Sequence, residues 1–371
     1  MAIREIKTEQ EVEDFVRGCA FYGTGGGGLV ENGIKSLMSL LNNNKKIKFI
    51  SAEDVADDEY IACSFLMGSI APLTDELKKE MKTFGLVKEK FTDSETLAEA
   101  VKELEEFTGK KVKAVVPIEL GGANTPGGVA ASVLNGIPVI DGDFTGRAIP
   151  EIQQTTPYIK GKDIGPITSV DLWGNVCIIK NAINYLMSER IGKIISTSSY
   201  SLTGDAGFLM TGKDMRDCII SGTLTECYEI GKLIRESREK NQYPVQAILE
   251  KLNAKLLFEG KVTNKETENK GGYYWGTTTV EKDGSQCKVW FKNENHMCWI
   301  NDEVVCTSPD LISIVNSETG EPITNPKLEV GMKVSVIGLG ARKEFMNEKG
   351  IDILGPKYFG FDVDYKPLMS N

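Results

Sequence analysis

Up to residue 254 the chain keeps changing its apolar period, and this alternation limits its possible folds more than any other feature. "KIKFISAEDV" and "EYIACSFLMGS" read as strands around an acidic turn, and "SETLAEAVKELEEFTGKK" is amphipathic at helical spacing. "VKAVVPIELGG" is an apolar run of the buried-strand kind, "TPGGVAASVLNG" is a helix of small residues, and "IPVIDGD" is strand-like again. Strands alternating with helices predict an α/β domain with a largely parallel sheet. From "LLFEGKVTNKE" onward the text is short strands, with turn signals at Asp283-Gly284, Glu318-Thr319-Gly320 and Gly331. That pattern predicts a β-barrel or sandwich. The expected fold class is α/β plus all-β. The α/β domain covers 1–165, its remainder and a helical connector 166–254, and the β-rich domain 255–371.

A chain of 371 residues exceeds what one core ordinarily supports, in keeping with two domains. Its formal net charge is −10 and it has no Lys/Arg block, which argues against nucleic-acid binding. No apolar run of about 18 residues is present, so a membrane span is not expected. The start, "MAIREIKTEQ", lacks the apolar segment of a signal peptide, and the eight cysteines are scattered without a CxxC pair. A cytoplasmic homo-oligomer with reduced thiols, acting on a small molecule, is the expectation.

Three stretches carry candidate chemistry. The first is "FYGTGGGG", residues 21–28, ahead of a helical pattern. Leu29-Val30 follow its glycines, so the Lys-Ser/Thr of a phosphate loop is missing. Gly23, Gly25 and Gly28 match the dinucleotide pattern formally, but a helical segment precedes them where that fingerprint follows a strand. An NAD(P) site is therefore the weakest of the alternatives. A loop whose N–H groups approach a ligand, and a turn requiring positive φ, both stay open. Thr24, Gly25, Gly26 and Gly27 are the candidate contacts.

The second stretch is "ELGGANTPGG", residues 119–128. Glu119 stands just past an apolar strand, where open α/β sheets hold their sites. Asn124 is either a site amide or, with Thr125, a helix cap. The third is "VIDGDFTGRAIPEIQ". Asp141 and Asp143 are two apart and Arg147 and Glu151 follow. Paired carboxylates suit a general base or a divalent metal, for which Asp141, Asp143 and Glu119 are the candidate ligands. A buried Asp–Arg pair closing the loop is the structural alternative. With one histidine, His296, a site built from several histidines is excluded. On an apparent strand His296 reads as core, whereas Asn293 and Glu294 interrupt an apolar segment. Cys19 reads as packing rather than as a nucleophile.

Taken in order, "GTGGGG", "IELGGANTPGGVAASVLNGIPVIDGDFTGRAIPEIQ", "ISGTLTECYEIGKLI", "FKNENHMCWI", "SPDLISIVNSETGEPI" and "LGPKYFGFDVDY" resemble the S-methyl-thiohydantoin desulfurase-like family over residues 10–367. The chain has Gly146–Glu151 as "GRAIPE" where relatives commonly show "GRAFPE". It has Asn293–Cys298 as "NENHMC" where they commonly show "NENLVA". The resemblance implies an α/β domain followed by a β domain, and metabolism of five-membered cyclic amide rings alongside hydantoinase and oxoprolinase systems. It is compatible with a hydrolase in which Asp141, Asp143 or Glu119 activates water, directly or through a metal, and Arg147 meets an anionic group or developing charge. Thr24, Gly25, Gly26, Gly27, Asn124, Glu151, Asn293 and Glu294 would then contact the ring. The rival reading is a non-catalytic subunit of a hydantoinase/oxoprolinase-type enzyme.

Overall fold

The structure, a computed structural model, describes residues 2–69, 73–200 and 202–369. The N-terminal sheet has eight strands. Ile47–Ile50, Val139–Ile140, Val112–Pro117 and Tyr60–Met67 lie side by side and parallel. These are the apolar runs read as buried strands. Tyr60–Met67 leads into Val112–Pro117 through helix Asp93–Thr108, and Val112–Pro117 into Val139–Ile140 through helix Asn124–Leu134, the crossovers that parallel pairing requires. The helix Asp93–Thr108 begins at a Thr92–Glu95 capping box and stops at Gly109, where φ is 68°. Helix Asn124–Leu134 follows the turn after Val112–Pro117.

The sheet is mixed. Glu5–Ile6 adds an antiparallel edge on one side, and Thr203–Thr211, Ile167–Val170 and Val176–Ile179 extend the other side antiparallel. "Largely parallel" therefore describes its centre. The three added strands come from 166–254, so this stretch builds sheet as well as connecting helices. Helix Tyr185–Ser198 packs against the end of Tyr60–Met67: a Cβ on Gly192 would lie 2.2 Å from the Met67 sulfur.

The second sheet is antiparallel, with seven strands running from Glu303–Thr307 through Glu294–Ile300, Ser285–Lys292, Tyr273–Lys282, Lys255–Lys270 and Lys333–Leu339 to Leu311–Asn316. It curls into a half-barrel, so that Asn295 Nδ2 donates to Ile312 O on the far edge strand at 3.0 Å. The largest apolar cluster is shared by both domains. Val12, Phe15 and Val16 of helix Glu9–Tyr22 meet Leu224 and Ile230 of helix Thr223–Glu239, together with Leu311, Val315 and Ile337 of the half-barrel. Among the described residues no helix is long and apolar enough to cross a membrane.

Candidate active site

Where the domains meet, a cavity of about 60 Å³ is lined by Gly27, Glu119, Asn124 and Glu151 from one side and Asn293 and Glu294 from the other. One water requires roughly 10–15 Å³ by this measure, so the space holds a few waters or part of a small ring. Six candidates scattered across the sequence thus reach one space.

The glycine run is the joint that allows this. Thr24, Gly25, Gly27 and Gly28 all have positive φ, at 48°, 93°, 69° and 86°. A Cβ on Gly26 would sit 1.9 Å from Glu294 Oε1, and one on Gly27 would sit 2.4 Å from Gly121 Cα. The loop carbonyls are spoken for on both sides. Gly27 O accepts from the Ala123 and Asn124 N–H groups at 2.9 and 3.0 Å, and Thr24 O and Gly25 O accept from Asn295 and Asn325 N–H at 2.8 and 2.7 Å. Its Gly27 N–H is directed to the Glu294 carboxyl.

Glu119 is held from two directions. Its Oε1 accepts from Asn124 Nδ2 at 2.7 Å and its Oε2 from the Ile149 N–H at 2.7 Å. Asn124 Oδ1 in turn accepts the Leu66 N–H at 2.9 Å, so this amide fixes Glu119 against the central strand. Burial pushes the Glu119 carboxyl up to about 7, against the pull of those two donors. Glu294 is buried more severely. Its acid form is favoured far above the usual carboxylate range, first by desolvation and then by Glu119, and its Oε2 has no hydrogen-bond partner. Two acids thus line one cavity, both pushed toward the protonated form by burial.

The remaining candidates separate from this pair. Asp141 accepts from the Thr225 N–H at 3.0 Å and the Thr225 hydroxyl at 2.6 Å, which caps helix Thr223–Glu239 in place of Gly222. Asp141→Ala is accordingly expected to cost about 1 kcal/mol in urea unfolding while turnover stays unchanged. A folded variant without turnover would return Asp141 to the site. Asp143 folds back on its own turn, its Oδ2 accepting from Thr145 N–H, Thr145 Oγ1 and Gly146 N–H at 3.0, 2.8 and 2.7 Å. Burial raises its carboxyl to about 6. Arg147 does not line the cavity. Its Nε donates to Ala148 O at 3.0 Å and its Nη1 to Pro309 O and Asp310 O at 3.4 and 3.1 Å. Its Nη2 donates to Thr24 Oγ1 and Asn295 O at 3.2 and 3.0 Å. No Asp–Arg pair forms here: the guanidinium ties the domains together through carbonyls. Among the described residues no three His, Cys, Asp or Glu side chains come together to hold a metal, and Asp141, Asp143 and Glu119 each answer to separate partners.

Glu151 lines the cavity but its oxygens are engaged by Lys292, by Gln153 Nε2 and by the Tyr358 hydroxyl at 2.6 Å. Asn293 has φ 58° and takes the Tyr274 N–H on its Oδ1 at 2.8 Å, shaping the strand that delivers Glu294. His296 is buried with its Nδ1 3.1 Å from Ser308 Oγ and its ring stacked on Phe359. Cys19 is buried in the shared core. Two lining residues, Glu189 and Lys193, were not anticipated. They are spaced i, i+4 on the inner face of helix Tyr185–Ser198, a pattern that in sequence reads as any solvated ion pair.

A mixed α/β domain joined to an antiparallel half-barrel defines the fold class. The chain belongs to the S-Me-THD-like family, whose N-terminal domain matches residues 10–181 and whose C-terminal domain matches residues 183–368. The family's division at this point places strand Thr203–Thr211 of the first sheet in its second domain. In fold the chain is similar to the crystal structure of a protein from Chromobacterium violaceum, with 20% identity, a TM-score of 0.78 and coverage of 99% of this chain and 100% of that one. Comparison with curated proteins returns no match.

Proposed function

We propose that the protein hydrolyses a five-membered cyclic amide ring of the hydantoin or S-methyl-thiohydantoin type, with water activated by a carboxylate. The observation that carries this reading is the Glu119–Glu294 pair in one cavity, one acid from each domain. Membership in the S-Me-THD-like family supports the ring class. Glu119, oriented by Asn124 and the Ile149 N–H, takes a proton from water as its oxygen bonds to the ring carbon. Glu294, still protonated, donates to the atom on which negative charge grows. With an S-methyl substituent the C–O bond forms and the C–S bond breaks. The Glu294 proton goes to the ring nitrogen as the C–O bond forms, the proton held by Glu119 leaves on methanethiol as the C–S bond breaks, and the hydroxyl proton of the new C–OH restores Glu294 as the ring carbonyl forms.

The base acts only when ionised, so kcat/KM on S-methyl-thiohydantoin is expected to rise with pH until about 7 and then level off. It falls again at higher pH, once Glu294 loses its proton. A pH–rate profile on pure protein measures both limbs. A flat profile across pH 5–8 would remove Glu119 as the base. If the pure chain turns nothing over and activity appears only with an added hydantoinase/oxoprolinase-type enzyme, the chain is a binding subunit instead.

A further inference from the structure

Beyond the acid pair, the hairpin tip of the half-barrel reaches across to the other domain. Strand Lys255–Lys270 pairs with Lys333–Leu339 only as far as Lys261, and from Asn264 to Lys270 the strand it pairs with is Tyr273–Lys282. Gly271 and Gly272, with φ 63° and 82°, make the two-residue turn. This protruding tip lands on the wall of the cavity. The Tyr273 hydroxyl donates to Glu189 Oε1 at 2.8 Å, and the ammonium groups of Lys193 and Lys292 lie over its ring at 4.5 and 4.1 Å. Ser69 Oγ donates to Asn269 Oδ1 at 3.1 Å beside it. A Cβ on Gly272 would be 3.2 Å from Lys193 Cδ, so the approach is close.

Two spaces flank this contact. Inside is the cavity with the acid pair, lined on this side by Gly68, Glu189, Lys193 and Leu202. Outside is a broader cleft of about 680 Å³, lined by Leu73, Leu77, Tyr200 and again Leu202, with Asn269, Gly271 and Gly272 of the tip as its other wall. Leu202 is common to both. We infer that Tyr273 is a gating and specificity-determining residue: the tip latches onto Glu189 and Lys193, and its position sets how large a ring substituent passes from the outer cleft to the acid pair. The inference about substituents rests on the hydrolase reading above. The latch itself does not.

The structural basis is specific enough to separate the two. Tyr273→Phe keeps a ring under the two ammonium groups and removes only the hydroxyl to Glu189. Hydrogen exchange on the full chain is expected to quicken roughly tenfold at residues 267–276 in this variant, with residues 287–291 unchanged. Equal exchange in wild type and variant would mean that the tip is not latched. Tyr273→Ala is then assayed on S-methyl-thiohydantoin and its 5-benzyl derivative. The ratio of kcat/KM for the benzyl compound to that for the unsubstituted one is expected to rise about tenfold. A uniform loss on both compounds would overturn the specificity role and leave Tyr273 structural. If wild type turns over neither compound, the hydrolase reading fails, and with it the substituent role, while the exchange result still decides the latch.

Discussion

Glu294→Gln is expected to leave a folded protein and to lower kcat on S-methyl-thiohydantoin by roughly 10²–10⁴-fold, the range for loss of a positioned acid or base. The substitution is nearly silent for folding because of what the carboxyl touches. One oxygen meets the Gly27 N–H and Gly26, and the other has no partner, so an amide replaces it without orphaning a donor. Glu119→Gln differs. Both its oxygens accept from fixed N–H groups, and a glutamine offers only one oxygen, so either Asn124 Nδ2 or the Ile149 N–H loses its acceptor. That variant loses activity to a similar degree and also about 1–3 kcal/mol of stability near pH 5. The pH dependence carries a second signature. The folded Glu119 carboxyl is raised from 4.5 to about 7, so its protonation favours the native state. This contribution is complete below pH 4.5 and is lost as pH rises through 7. Glu119→Gln removes that dependence, and its deficit against wild type shrinks between pH 5 and 8. Urea midpoints across that range, set beside kcat, distinguish the two acids. Wild-type turnover in Glu294→Gln would remove the proton donor from the mechanism.

How much of this was legible in the sequence follows from the physics at each position. The parallel centre of the sheet was visible because buried strands are continuous apolar runs and their helices keep a clean period. The antiparallel extension was not read, since "ITSV" and "VCII" are short and flanked by polar turns. Glu119 was legible from its place past a strand end. Glu294 was legible from polar residues within an apolar β segment. The geometry of their meeting was not, because it depends on how the half-barrel curls and on the room that Gly26 leaves for the Glu294 carboxyl. The cluster Asp141–Arg147 is engaged with other partners for a physical reason. Caps, turn closures and domain ties use the same charged residues as catalysis, and their partners Thr225, Asn295 and Asp310 lie far away in sequence. Glu189 and Lys193 gave no signal, since burial of an i, i+4 pair depends on a hairpin arriving from another domain.

Arg147→Met is expected to be the most damaging single change to stability. The guanidinium is fully enclosed and donates from every nitrogen, to the carbonyls of Ala148, Asn295, Pro309 and Asp310 and to Thr24 Oγ1. Methionine fills much of the same volume but supplies no donor. Each acceptor is then left short of a partner in a site that water reaches poorly. The expected loss is on the order of 3–5 kcal/mol in urea unfolding. Arg147→Lys is not expected to rescue it, because one ammonium cannot span acceptors arrayed around a planar fork. A further consequence links this scaffold to the chemistry. Arg147 is among the groups that favour ionised Glu294, opposing its desolvation. Its removal holds Glu294 protonated to still higher pH, so the falling limb of the pH–rate profile moves upward while the rising limb set by Glu119 moves less. A purely structural tie would lower stability and leave that limb in place. Movement of the limb in the residual folded fraction would show that the residue joining the domains also tunes the acid it stands behind.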